Sequence, residues 1–94
     1  MEYFTPLEIM AYYVYVLKSE KDNNWYTGCT RDLQKRLIEH NNSRRFPMKF
    51  RIPFKLIYYE VCLNSKDAFA REKYLKSGMG KRYIKNRLKY YFSS

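Results

Sequence analysis

Tyr12 to His40, YYVYVLKSEKDNNWYTGCTRDLQKRLIEH, decides the fold. It reads as strand, turn, short strand and helix. Tyr12 to Leu17 is a β-branched and aromatic run, and Glu20 to Asn24 is polar and rich in turn formers, so the pattern predicts a hairpin with Trp25 to Gly28 as its return strand. Thr30 is the expected N-cap of a helix that carries Asp32 in its first turn and Leu33 and Leu37 on one face, ending near Asn42. The unit brings Tyr15, Tyr26, Arg36 and His40 close in sequence on rigid elements. Such a set is either a site or a well-packed hairpin and helix.

Around this stretch, 94 residues allow one domain with one core, since a chain this short buries only somewhat more than ~60% of its unfolded surface. Lys and Arg number 19 against 9 Asp and Glu, a formal charge of +10, so a polyanion is the expected partner and nucleic acid leads the candidates. The charge is uneven. No acidic residue lies between Glu39 and Glu60 or after Glu72, while basic residues continue through both regions, which predicts two basic surfaces. Aromatics make up 19% of the chain and suit both a small core and stacking on bases. Cys29 and Cys62 form no CxxC pair and have no metal-ligand spacing, and are expected to be reduced thiols of a cytoplasmic protein. No basic leader is evident, and no apolar run nears the ~18 residues of a membrane span.

Residues 1–11 are expected to form an extension before a single domain over residues 12–91. Downstream of the first helix, Asn41 to Pro53 (NNSRRFPMKFRIP) is basic, with Phe46 and Phe50 interleaved and no apolar period. A loop this long in a small domain is usually functional or disordered. Phe54 to Leu63 is predicted to be a strand, and a central one because successive positions are apolar. Asn64 or Ser65 then caps a helix running to Ser77 and stopped by Gly78 and Gly80. A last basic helix is expected over Lys81 to Tyr91, packing through Ile84, Leu88 and Tyr91. The order β, β, α, β, α, α describes an α/β or α+β domain with a small sheet covered by helices.

Glu72 is the most informative single residue. At about 100° per residue it shares a stripe with Ala68, Phe69 and Leu75, so an acid is expected on the core side of its helix. A buried carboxylate needs a partner, which is either a salt bridge or N–H network, or a metal ion at a cleft edge. A lone carboxylate suits Mg²⁺, which keeps waters and takes other ligands from phosphate. Arg36 and His40 are four apart and so neighbours, as a solvated helix edge or as a phosphate clamp beside a titratable group. With one His in the chain, multi-His metal centres are excluded. Tyr13 and Tyr15 share a strand face; strand tyrosines are ordinarily packing residues, and a catalytic one must lose a proton, which nearby cations favour.

Tyr13-Val14-Tyr15 and Tyr26-Thr27-Gly28, about a hairpin apart, followed by Arg36, His40 and Glu72, resemble the GIY-YIG endonucleases, with Tyr13 in place of the first Gly and Thr27 in place of Ile. The resemblance covers roughly Tyr12 to Ser77 and is closest to the small stand-alone bacterial members. It implies a three-stranded antiparallel sheet flanked by helices, and a divalent-metal-dependent DNA endonuclease or nickase working in repair or recombination. The implied catalytic residues are Tyr15, Tyr26, Arg36, His40 and Glu72, with Glu72 holding one Mg²⁺ or Mn²⁺, Tyr26 as general base, Tyr15 hydrogen-bonding nearby, Arg36 stabilising the pentavalent phosphate and His40 orienting or relaying the proton. Arg44, Arg45, Lys49 and Arg51 in the basic loop, with Lys81, Arg82, Lys85 and Arg87 in the terminal helix, would track the backbone of DNA, or of RNA as the alternative. The competing expectations are a non-catalytic nucleic-acid-binding module and a small basic interaction protein.

Overall fold

The computed structural model describes residues 10–94. Residues 1–9, most of the expected extension, lie outside the described residues. The chain runs β1 (Tyr12–Ser19), β2 (Trp25–Thr30), α1 (Leu33–Asn41), a short 3-10 turn (Met48–Phe50), β3 (Phe54–Cys62), α2 (Ser65–Lys76), α3 (Gly78–Arg87) and α4 (Lys89–Ser93). The three strands form one antiparallel sheet in the order β2-β1-β3. This is the predicted α+β architecture.

The hairpin turn is held by its own polar side chains. Ser19 Oγ accepts from the Lys21 and Asp22 amides at 3.1 and 3.2 Å, and Asp22 Oδ1 accepts from the Asn24 amide at 2.9 Å. Asn23 takes the left-handed conformation, with φ of 61°, which a short amide side chain tolerates.

The central strand is β1, not the apolar strand β3. Val14 to Leu17 are all buried, because both faces of β1 are covered. On one face Val14 and Val16 pack with Ala68, Leu75 and Ile84 of α2 and α3; on the other, Tyr15 and Leu17 pack with Phe54, Leu33 and Leu37. β3 is an edge strand, exposing Lys55, Tyr59 and Val61. Its apolar run has a different cause: the ladder with β1 slips at Val16/Leu17, and the neighbours Ile57 and Tyr58 then both pack with the Val14–Val16 cluster.

Several boundaries also differ from the sequence expectation. β2 continues to Thr30, which pairs with Tyr13, so the N-cap of α1 moves to Asp32, whose side chain accepts from the Lys35 amide at 3.0 Å. Asn64 caps α2, accepting from the Lys66 amide at 2.8 Å. Gly78 and Gly80 do not end a helix but lie in the first turn of α3, capped by Ser77. Gly80 is needed for close approach: a Cβ there would fall 2.5 Å from Leu75 Cα and 2.8 Å from the Tyr74 carbonyl carbon. The expected single helix from Lys81 to Tyr91 is two helices broken at Leu88. The break leaves Tyr91 exposed and instead lays Phe92 flat on Trp25, with ring centroids 5.7 Å apart and planes within 8°.

Candidate active site

Tyr15 is at the middle of β1 on the α1 face, directly opposite Gly28 in β2. Its ring lies across the space a side chain at Gly28 would fill: a Cβ there would be 2.6 Å from Tyr15 Cζ. Only glycine leaves that path open. The Tyr15 side chain, with the residue 1% exposed, ends with its hydroxyl 3.1 Å from His40 Nε2. His40 is in the last turn of α1, packed against Tyr26 (ring centroids 4.7 Å apart) and Phe54 (5.9 Å). The helix end that carries it is fastened to β3 by Asn41, whose side chain accepts from the Phe54 amide at 2.6 Å and donates to the Phe54 carbonyl at 3.1 Å.

Burial sets the protonation of this pair. It pushes the Tyr15 hydroxyl up to about 12, aided by Tyr26 and Glu72 and opposed by Arg36, so Tyr15 keeps its proton near neutrality. Burial and then the Arg36 charge hold His40 below the usual imidazole value, so it is neutral. A protonated phenol facing a neutral imidazole can pass one hydrogen bond between Tyr15 Oη and His40 Nε2, and the His40 tautomer sets which of the two donates.

A stability consequence follows. Because the folded-state value of His40 lies below the ordinary 6.5, the unfolded chain takes up this proton first; stability is intact above pH 6.5 and falls as pH drops towards the folded value. Thermal melts at pH 7 and pH 5 should therefore show a decrease in Tm that shrinks in His40→Gln. An equal decrease in both proteins would assign the acid sensitivity elsewhere.

Arg36 sits one turn before His40 and bonds Glu39 at 3.2 Å on the exposed flank of the helix. Tyr26 is half-buried on the same sheet face as Tyr15, with ring centroids 6.4 Å apart. Glu72 is on α2, which packs on β1 and β2 from the sheet face opposite α1. It does not sit in the middle of a core stripe. Phe69 is 60% exposed while Ala68 and Leu75 are buried, so the packing face is rotated and Glu72 lies at its margin, its side chain 22% exposed and paired with Lys76 Nζ at 2.9 Å. A second acid is enclosed to a similar extent: Glu60, its side chain 24% exposed, takes Arg71 and, at 2.9 Å, the Tyr58 hydroxyl, and Arg71 in turn lies against the Tyr74 and Tyr83 rings. A lone acid in the apolar strand Phe54–Leu63 was the signal for it.

The basic residues divide. Arg44 and Arg45 line a groove of about 690 Å³ together with Arg36, Glu39, His40 and Met48, which joins the loop to the Tyr15–His40 cluster. Lys49 is exposed beside Phe50. Arg51 points away, bonding Asp22 at 3.0 Å and fastening the loop to the hairpin. Lys81 and Lys85 border a separate groove with Asn23, Asn24 and Trp25 at the hairpin end, and Arg82 and Arg87 are exposed on α3. Both cysteines are free thiols, each raised by burial. Among the described residues no cluster of three or more His, Cys, Asp and Glu could cage a metal, and no helix is long and apolar enough to cross a membrane.

The model of the GIY-YIG catalytic domain matches residues 11–89. Among similar curated proteins, a UPF0213 protein of Clostridium perfringens is 45% identical over 65 residues, 68% of this chain and 69% of the relative. One of Staphylococcus saprophyticus is 37% identical over 67 residues, 70% of this chain and 80% of the relative. UPF0213 protein YazA of Bacillus subtilis is 38% identical over 71 residues, 74% of this chain and 71% of the relative. No solved structure matches the chain. With a matched domain spanning both tripeptides and the helices that carry Arg36, His40 and Glu72, the chain belongs to the GIY-YIG family of nucleases.

Proposed function

We propose that this protein is a divalent-metal-dependent DNA endonuclease or nickase acting on branched or damaged DNA in repair or recombination. The observation that carries the proposal is the buried Tyr15–His40 hydrogen bond at 3.1 Å, with Tyr26 packed on His40 and Arg36 lining the same groove as His40. Packing alone has no need of a histidine bonded to a buried tyrosine at the head of an arginine-lined groove.

In this reading Tyr26, having first given up its own proton to solvent, takes the proton of the attacking water. Tyr15, which keeps its own proton, holds the neutral ring of His40 against Tyr26. Arg36, placed before reaction, stabilises the charge on the pentavalent phosphate. Glu72 fits one ion as a lone, partly exposed carboxylate whose present partner, Lys76, is on a flexible and 57% exposed side chain free to give way. One Mg²⁺ or Mn²⁺ bound there would neutralise charge on the phosphate and assist the leaving oxygen. Arg44, Arg45 and Lys49 would follow the DNA backbone away from the cluster.

Nicking of supercoiled plasmid with Mg²⁺ or Mn²⁺ tests the proposal; a non-catalytic binder would retain salt-sensitive DNA affinity and convert no plasmid. Lys85→Ala with Arg87→Ala should weaken binding across all sequences and flatten the dependence of log K on log salt by about two. An unchanged slope would remove α3 from the DNA surface.

A further inference from the structure

The loop between α1 and β3 carries four apolar side chains of similar size range, and the fold uses them differently. Met48 and Ile52 turn inward onto the Tyr15, Leu17 and Phe54 cluster. Phe46 and Phe50 turn outward, 76% and 59% exposed, meeting each other edge to face at 5.6 Å. Looseness does not account for this. The loop is closed at its base by the paired Asn41–Phe54 hydrogen bonds, held to the hairpin by Ser19 Oγ donating to the Arg51 carbonyl at 2.5 Å and the Glu20 amide donating to the Pro53 carbonyl at 2.9 Å, and folded internally by the Lys49 amide donating to the Arg45 carbonyl at 2.9 Å.

Two rings held in water on a fixed loop form a surface for another molecule, and their neighbours state its charge. Arg44, Arg45 and Lys49 flank them, with no acid between Glu39 and Glu60. Arg44 and Arg45 also line the groove that leads to Arg36 and His40, so whatever lies on the phenylalanines is continuous with the candidate active site. A duplex hides its base faces in the stack; an unpaired strand offers them, spaced along a phosphate backbone that the arginines can track.

We infer that Phe46 and Phe50 form a stacking platform for unpaired bases of the substrate strand beside the cut, so that the enzyme selects junctions of single-stranded and duplex DNA. This inference rests on the proposed nuclease function and names its substrate class. The platform acts through ring faces, not charge, which separates it from the backbone contacts.

The test uses the full chain carrying Glu72→Gln, expected to bind with cutting strongly reduced, and two fluorescent substrates of one sequence: a continuous duplex and a duplex with a single-stranded arm. Phe46→Ala with Phe50→Ala should raise Kd for the armed substrate about tenfold or more, with an unchanged salt slope. Kd for the continuous duplex should rise much less, and Phe46→Trp with Phe50→Trp should retain the preference for the arm. With Glu72 restored, the ratio of kcat/KM for armed over continuous DNA should fall by a similar factor. Unchanged affinity for the arm, or equal losses on both substrates, would overturn the inference. If the restored protein cuts neither DNA, the nuclease reading fails while the binding comparison still decides the platform.

Discussion

If the proposed function holds, Glu72→Gln and Arg36→Ala should each lower plasmid nicking by about 10²- to 10³-fold, the usual loss when a charge aimed at a transition state is removed. The fold should be untouched. The Glu72–Lys76 pair is an i, i+4 contact with an exposed lysine, and Arg36–Glu39 is a solvent-exposed i, i+3 contact, pairs that contribute only about 0.3–0.5 kcal/mol each. Melting temperatures close to the wild type, together with unchanged DNA affinity for Glu72→Gln, would place the loss in chemistry. Nicking by Glu72→Gln at the wild-type rate would remove the metal assignment. A loss of DNA binding that matches the loss of activity in Arg36→Ala would instead make Arg36 a ground-state contact.

Gly28→Ala should damage stability and activity together. The added methyl would stand 2.6 Å from Tyr15 Cζ, and Tyr15 is buried in the central strand with its hydroxyl bonded to His40, so the ring must be displaced. Overpacking of this kind costs about 1–3 kcal/mol, which in a domain this small lowers Tm by about 4–8 °C per kcal/mol. Since displacement also breaks the Tyr15–His40 contact, activity should fall about 100-fold, beyond what partial unfolding explains. Adding Tyr15→Phe to Gly28→Ala should recover part of the stability, because the hydroxyl is among the groups the methyl meets, while activity stays low. A Gly28→Ala protein with wild-type melting would mean that the ring has room to move and that the cradle does not position Tyr15.

The last glycine of the second tripeptide thus has a physical reason that the motif alone does not state. Its place in the pattern was visible in the sequence; that it leaves the path for a tyrosine from the neighbouring strand was not, since the register Tyr15 to Gly28 exists only once the hairpin closes. Glu72 illustrates the opposite case. A helical period drawn through Ala68, Phe69 and Leu75 put the carboxylate at the centre of the buried face, yet Phe69 is out in solvent and Glu72 is at the rim. Periodicity fixes which residues share a stripe, but the azimuth of that stripe against the sheet is set by what α2 packs on. The same limit applies to β3, whose apolar run reads as a central strand and comes from an irregular ladder at an edge.

By itself the sequence determined the hairpin, the helix bearing Arg36 and His40, the order of elements, the basic character and the family resemblance, because turn chemistry, strand and helix periods and charge are local properties of the chain. The tertiary structure alone decided that β1 is central, that Tyr15 reaches His40 across Gly28, that Arg51 serves the hairpin while Arg44 and Arg45 serve the groove, and that Phe46 and Phe50 face water. Each of these depends on contacts between segments distant in the chain, with Tyr15 and His40 being 25 residues apart, and such contacts are selected by the packing of the whole domain and not by any one stretch of it.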